Sequence, residues 1–146
     1  MLATPIWAGD FEDGLRFSMD GNYNSAANSF RKAAERGEAE AQFNLALMYE
    51  EGRGVAQDYK QAAMWYLNAA KQDHAGAQSK LGWMLFQGWG VKQDNIEAYK
   101  WLSIAKENNN RDARKKLGEV ASQMTQPQIA EAQHRISKWL KAHPKD

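Results

Sequence analysis

The 146-residue sequence repeats itself at a step of 36. Ala41, Leu45, Gly52, Gly54, Val55, Asp58, Ala62, Trp65 and Ala69 return as Ala77, Leu81, Gly88, Gly90, Val91, Asp94, Ala98, Trp101 and Ala105. Gln42 and Met48 return as Gln78 and Met84. A chain of this kind folds as stacked copies of one unit, because a single short copy cannot bury its own apolar face. A further copy starts at Ala113, Leu117 and Gly118 and then departs from the pattern. An earlier copy carries Tyr23, Ala26, Phe30, Ala33 and Ala34 in the places of Tyr59, Ala62, Tyr66, Ala69 and Ala70. Its first half, Phe11 and Leu15, fits Phe43 and Leu47 if a few loop residues are missing.

Each unit reads as two helices. Over 39–50 the buried set is Ala41, Leu45, Met48 and Tyr49; over 58–71 it is Ala62, Trp65, Tyr66 and Ala69. Both sets follow helical spacing. Gly52 suits the left-handed residue that ends a helix, and Gly54 a second tight bend. Asp58 is a helix N-cap with Gln61 three residues on, a pairing repeated by Asp94 and Glu97. Composition agrees. Of the 146 residues 23 are Ala and six are Trp, while Val, Ile and Thr together number only ten, so few residues favour strands. Small residues let helices approach closely, and each Trp fills the wider gap beside them.

These residues resemble the Sel-1-like repeat (SLR) family, relatives of the tetratricopeptide repeat. Ala41 through Ala70 follow its pattern, with Ala46 where the family has Gly. Ala77 through Ala105 follow it again, with Leu85 for Tyr and Leu102 for the second aromatic. The first unit lacks the glycine loop and looks closer to a tetratricopeptide repeat. The resemblance implies an all-α fold: a right-handed α-solenoid of about four helix pairs with a C-terminal capping helix. The expected organisation is an arm over 1–9 and one solenoid domain over 10–143. Its units run over about 10–37, 38–73, 74–110 and 111–124, with the capping helix over about 126–142. Thr125-Gln126-Pro127 marks the start of that last helix, with Pro tolerated in the first turn. Ile129, Ala132, Ile136, Trp139 and Leu140 form its apolar stripe, similar to the helix that closes many bacterial members.

The head, Leu2 to Ala8, is apolar. It resembles the end of a secretory signal peptide, with Ala8 before the cleavage point. The other reading is a genuine N-terminal arm. The first reading places the protein in the periplasm or outside the cell, the second in the cytoplasm. No other segment reads as membrane-spanning.

No catalytic constellation is present. There is no cysteine, which removes disulfides, thiolate metal sites and cysteine nucleophiles. His74 and His143 fall in a turn and in the tail. Glu131 and His134 share a helix face, but no second such pair completes a metal site. Asp10, Glu12 and Asp13 suit the positive end of a helix dipole. Gly52-Arg53-Gly54 and Gly88-Trp89-Gly90 are not phosphate loops, since no Lys-Ser/Thr pair follows. The expectation is no metal and no cofactor. Net charge is +1, and the basic run Arg111, Arg114, Lys115 and Lys116 lacks interleaved aromatics, which argues against nucleic acid. Charge is nonetheless uneven. Residues 1–73 carry 7 basic and 11 acidic groups, net −4; residues 74–146 carry 12 and 7, net +5.

A binding face is sought among apolar residues that packing does not require. At about 100° per residue, Phe43, Leu47 and Glu50 fall opposite the core stripe of their helix. The next repeat places Ser79, Trp83 and Phe86 there, the first Phe11 and Leu15, and the last Lys115, Glu119 and Ser122. In tetratricopeptide relatives the equivalent positions line the concave groove. The candidate partner-binding residues are therefore Phe11, Leu15, Phe43, Leu47, Trp83 and Phe86, with Trp89 in the repeat loop. Exposed apolar rows mark binding surfaces, and aromatics are favoured anchors. Trp65 and Trp101 belong to the core. The function these features point to is a non-catalytic adaptor for a protein or peptide, monomeric or weakly self-associating. The alternatives are an envelope enzyme acting on a small or cell-wall ligand, and a structural protein assembling through its oppositely charged halves.

Overall fold

A computed structural model describes residues 9–145. Among these residues there are eight α-helices and no strand. They are α1 (Asp10–Met19), α2 (Tyr23–Glu35), α3 (Ala39–Glu51), α4 (Tyr59–Lys71), α5 (Ala75–Gln87), α6 (Asn95–Glu107), α7 (Arg111–Ala121) and α8 (Gln126–Ala142). The chain divides after Gln72 into two compact units, α1–α4 and α5–α8.

The helix ends follow from the side chains beside them. Asp58 accepts the Gln61 amide and Asp94 the Glu97 amide, as expected of N-caps. Asn22, His74 and Asn110 cap α2, α5 and α7 in the same way. Gly52 and Gly88 end α3 and α5 in the left-handed region, at φ 69° and 74°. Thr125 and Gln128 form a reciprocal capping box at the start of α8. Thr125→Ala is therefore expected to cost about 1 kcal/mol, read as a lower urea midpoint and faster amide exchange in the first turn of α8.

In the first unit α2 packs between α1 and α3, and α3 against α4. The core is Ala-rich, with Ala26, Ala33, Ala41 and Leu45 fully buried around Phe30. Gly14 shows why small residues sit here: a Cβ on it would lie 2.6 Å from the Phe30 ring. In the second unit Gly82 plays the same part, with Leu102 Cγ 2.7 Å from where its Cβ would be. The second core gathers Ala98, Leu102, Ala105, Ala113 and Val120. There α6 is flanked by α5, α7 and α8. Trp139 of α8 meets Trp101 of α6 edge-on at 4.9 Å, and Arg135 reaches Glu97 at 2.7 Å.

The two repeat tryptophans differ. Trp101 is buried, 3% exposed, beneath Trp139. Trp65 packs on the first core and is only half-buried.

Candidate functional site

The helical wheel gives the direction of a Cβ, not the reach of its neighbours, and the structure sorts the seven candidate residues accordingly. Phe43 does not point clear of α4. Its ring centroid lies 5.7 Å from that of Tyr66, a fully buried residue of α4. Tyr66 runs beneath the Phe43 side of α3, and its hydroxyl donates to Glu50 at 2.5 Å. Burial and then Glu50 push the Tyr66 phenol far above its ordinary range, so it stays a protonated donor. Phe11 turns inward to Phe30, ring centroids 5.9 Å apart, and joins the core. Leu15 is exposed, 39%. Leu47 lines a small cleft of about 230 Å³ with Tyr23, Phe30, Met48, Glu51 and Arg53. The charges of that cleft are satisfied internally: Arg53 pairs with Glu51 at 3.2 Å and lies over the Tyr23 ring.

In the second unit Trp83 and Phe86 form a tilted pair, centroids 5.2 Å apart. Phe86 also packs on the core cluster. Trp83 is half-buried and lines an open cleft of about 460 Å³ with Arg111, Asp112, Lys115, Lys116 and Glu119 of α7. Lys116 Nζ lies 5.6 Å from the centre of the Trp83 ring, a cation–π distance. Lys115 and Glu119 were expected on the face that carries Trp83, and they share its cleft. Ser79, expected beside them, is instead buried, 3% exposed, with no hydrogen-bond partner for its hydroxyl. Trp89 is exposed, 40%, and does not line the Trp83 cleft.

The other polar features have structural partners. Asp10 pairs with Arg36 at 2.8 Å and Asp13 with Arg16 at 3.1 Å. Glu131 pairs with Arg135 at 2.9 Å. Among the described residues no three His, Asp or Glu side chains converge as metal ligands. No helix of the described residues is long and apolar enough to cross a membrane.

Sequence reasoning missed a set of polar joints between repeats. Gln42 donates to the Ala34 carbonyl at 3.2 Å and accepts from Gln72 at 2.9 Å. One repeat on, fully buried Gln78 donates to Asp73 at 3.0 Å and accepts from Asn108 at 2.9 Å. Asn108 also donates to Asp73 at 2.7 Å. Asp73 and Asn109 hold left-handed backbones, both at φ 65°, in the place that Gly37 takes at φ 91°. The signal was available: the repeat step carries Gly37 to Asp73 to Asn109, and Gln72 to Asn108. Asp and Asn are the side chains that tolerate this conformation best after Gly.

This helix-pair architecture is matched by known proteins. The Sel1 repeat model matches residues 11–38, 39–74 and 75–110. The chain belongs to the Sel1 repeat family. Its all-α helical-repeat fold is that of the SLR solenoids, within the tetratricopeptide-like superfamily. A protective antigen of uropathogenic Escherichia coli with an SLR fold superposes with a TM-score of 0.86 at 29% identity, over 92% of this chain and 30% of that one. A Sel1 repeat protein from Oxalobacter formigenes gives 0.75 at 33% identity, over 81% and 50%. The cysteine-rich protein B of Helicobacter pylori gives 0.65 at 24%, over 76% and 89%, a likeness of fold alone. Among curated proteins, the rat and mouse DAP3-binding cell death enhancer 1 are each 47% identical over 38 residues, 26% of this chain and 8% of theirs. The chain thus spans under a tenth of the length of those relatives. Sel1 repeat proteins generally act as protein-interaction scaffolds. In this one α7 and α8 lie beyond the three matched repeats, and α7 supplies the charged wall of the Trp83 cleft.

Proposed function

We propose that this Sel1 repeat chain is a non-catalytic adaptor, docking a protein or peptide segment on the apolar side chains that its repeats leave at their surface. The observation that carries this reading is Trp83. It is a large indole at the rim of an open cleft, half-exposed, and it lies outside the core cluster that its neighbour Phe86 joins. A Trp in that setting combines large contact area with few rotatable bonds, which suits a binding anchor. Leu47 stands at the equivalent stage of the preceding repeat, in a smaller cleft whose charges are already paired. The interaction role of the family supports the reading.

The test is affinity capture from the native host with the double variant Trp83→Ala/Phe86→Ala as control. Partner recovery is expected to fall at least tenfold, the scale of losing one aromatic hot spot. Helical content by circular dichroism should stay at the wild-type level. Undiminished capture by a folded variant would remove Trp83 from the binding face.

A further inference from the structure

The arginines of the described chain fall into two groups. Arg16, Arg36, Arg53 and Arg135 each meet a carboxylate within 3.2 Å. Arg31 donates to the Tyr49 hydroxyl at 3.1 Å. Of the arginines among the described residues, only Arg111 and Arg114 have side chains with neither an ion pair nor a hydrogen bond. Both stand in the opening turns of α7 and are exposed. A cation at that end of a helix opposes the helix dipole. The chain observes this rule in α1, whose first turn carries Asp10, Glu12 and Asp13. The two arginines therefore contribute nothing visible to the fold and sit where the fold would favour the opposite sign. They also follow directly on the last matched repeat, which ends at residue 110, so repeat packing does not account for them.

What they do build is a surface. Arg111 and Arg114 line an open cleft of about 560 Å³ with Lys106, Asn109 and Asn110. Arg111 also lines the Trp83 cleft, next to Lys115. The two clefts thus share Arg111 as a lining residue. Together they are walled by five cations and two carboxylates. Unpaired guanidiniums with an indole beside them match a particular ligand chemistry. Guanidinium forks bind carboxylates in a bidentate manner, and an indole offers a stacking face.

We propose that the α7 surface docks an acidic peptide segment that carries an aromatic side chain. The aromatic ring lies against Trp83, and the carboxylates engage Arg111 and Arg114. This rests on the interaction-scaffold reading and adds the chemistry of the partner. Spacing supports an extended segment. Residues three apart on a helix stand about 5–6 Å apart, and alternate side chains of a strand about 6–7 Å apart. A single anchoring indole and a whole-chain charge of only +1 favour a peptide over a nucleic acid.

The test is selection of a phage-displayed library of random dodecapeptides on the full chain, followed by fluorescence anisotropy with the most enriched peptide. Enriched peptides are expected to combine Asp or Glu at alternate positions with Phe, Tyr or Trp. The variant Arg111→Gln/Arg114→Gln should weaken the best peptide about 100-fold, roughly tenfold for each charged hydrogen-bonding group lost. Its melting temperature should not fall, because the fold does not use either side chain. Enriched peptides without acidic residues, bound equally by the Gln variant but lost with Trp83→Ala, would overturn the acidic occupant and leave the docking reading standing. Acidic peptides bound undiminished by Trp83→Ala would overturn the aromatic half of the proposal. Tighter binding of an oligouridylate than of any selected peptide would make this a nucleic-acid surface and overturn it too. No enrichment at all would overturn both the proposal and the reading beneath it.

Discussion

Replacing Gly54 by Ala is expected to destabilise the first unit by about 2–4 kcal/mol, among the larger single-residue effects in the chain. Two causes combine. Gly54 has φ 71°, a conformation that costs other L-residues about 1–2 kcal/mol. Its missing side chain is also where the loop rests on the start of α2. A Cβ there would lie 2.1 Å from the Tyr23 carbonyl oxygen and 2.5 Å from its carbon. Both atoms are backbone, so no rotamer change relieves the clash and the loop itself has to move. Gly118→Ala is the matched control. Gly118 lies within α7 with nothing within 4 Å of its would-be Cβ, so Ala should add about 0.5–1 kcal/mol through helix propensity. Urea denaturation of both variants measures the contrast. A Gly54→Ala protein as stable as wild type would show that the loop does not rest on α2.

Trp101→Ala should have the other large effect, about 3–5 kcal/mol, as for other fully buried aromatics. Trp101 is 3% exposed and is the surface on which α8 lies, through Trp139. Lys100 Nζ stands 4.5 Å from the Trp101 ring and 5.8 Å from the Trp139 ring, a second component of that contact. Removing the indole leaves a cavity and also loosens α8, so amides of 126–142 should lose protection from hydrogen exchange. Trp65→Ala, at the same place in the preceding repeat, should cost less, because Trp65 is only half-buried. Equal losses at the two positions would contradict the difference in cover.

The repeat made most of the helical framework legible. Its period located each helix pair, and its glycines, Asp58, Asp94 and Thr125 announced where helices stop and start. What it left unread falls into two kinds. One is long side chains that reach beyond their own stripe. The Tyr66 ring extends under α3 as far as Phe43 and Glu50, so a residue placed on the outer face by angle alone acquires a neighbour. Phe11 likewise closes on Phe30 over the small Gly14. The other kind is polar groups whose value depends on distant partners. Gln78 shows in the sequence only as the repeat of Gln42, and it is fully buried between Asp73 and Asn108 in the fold. In the sequence Arg111 and Arg114 show only as part of a basic run with Lys115 and Lys116. That neither arginine meets a carboxylate is visible only in the fold.

Trp83 is proposed as the anchor for a partner, while Trp101 and Trp139 pack on each other. The six tryptophans allow a direct measurement: indole N–H resonances of ¹⁵N-labelled protein, titrated with the tightest selected peptide. The Trp83 signal is expected to move and saturate with the peptide, while those of Trp101 and Trp139 stay in place. A saturable shift at Trp101 or Trp139 with Trp83 unmoved would contradict it.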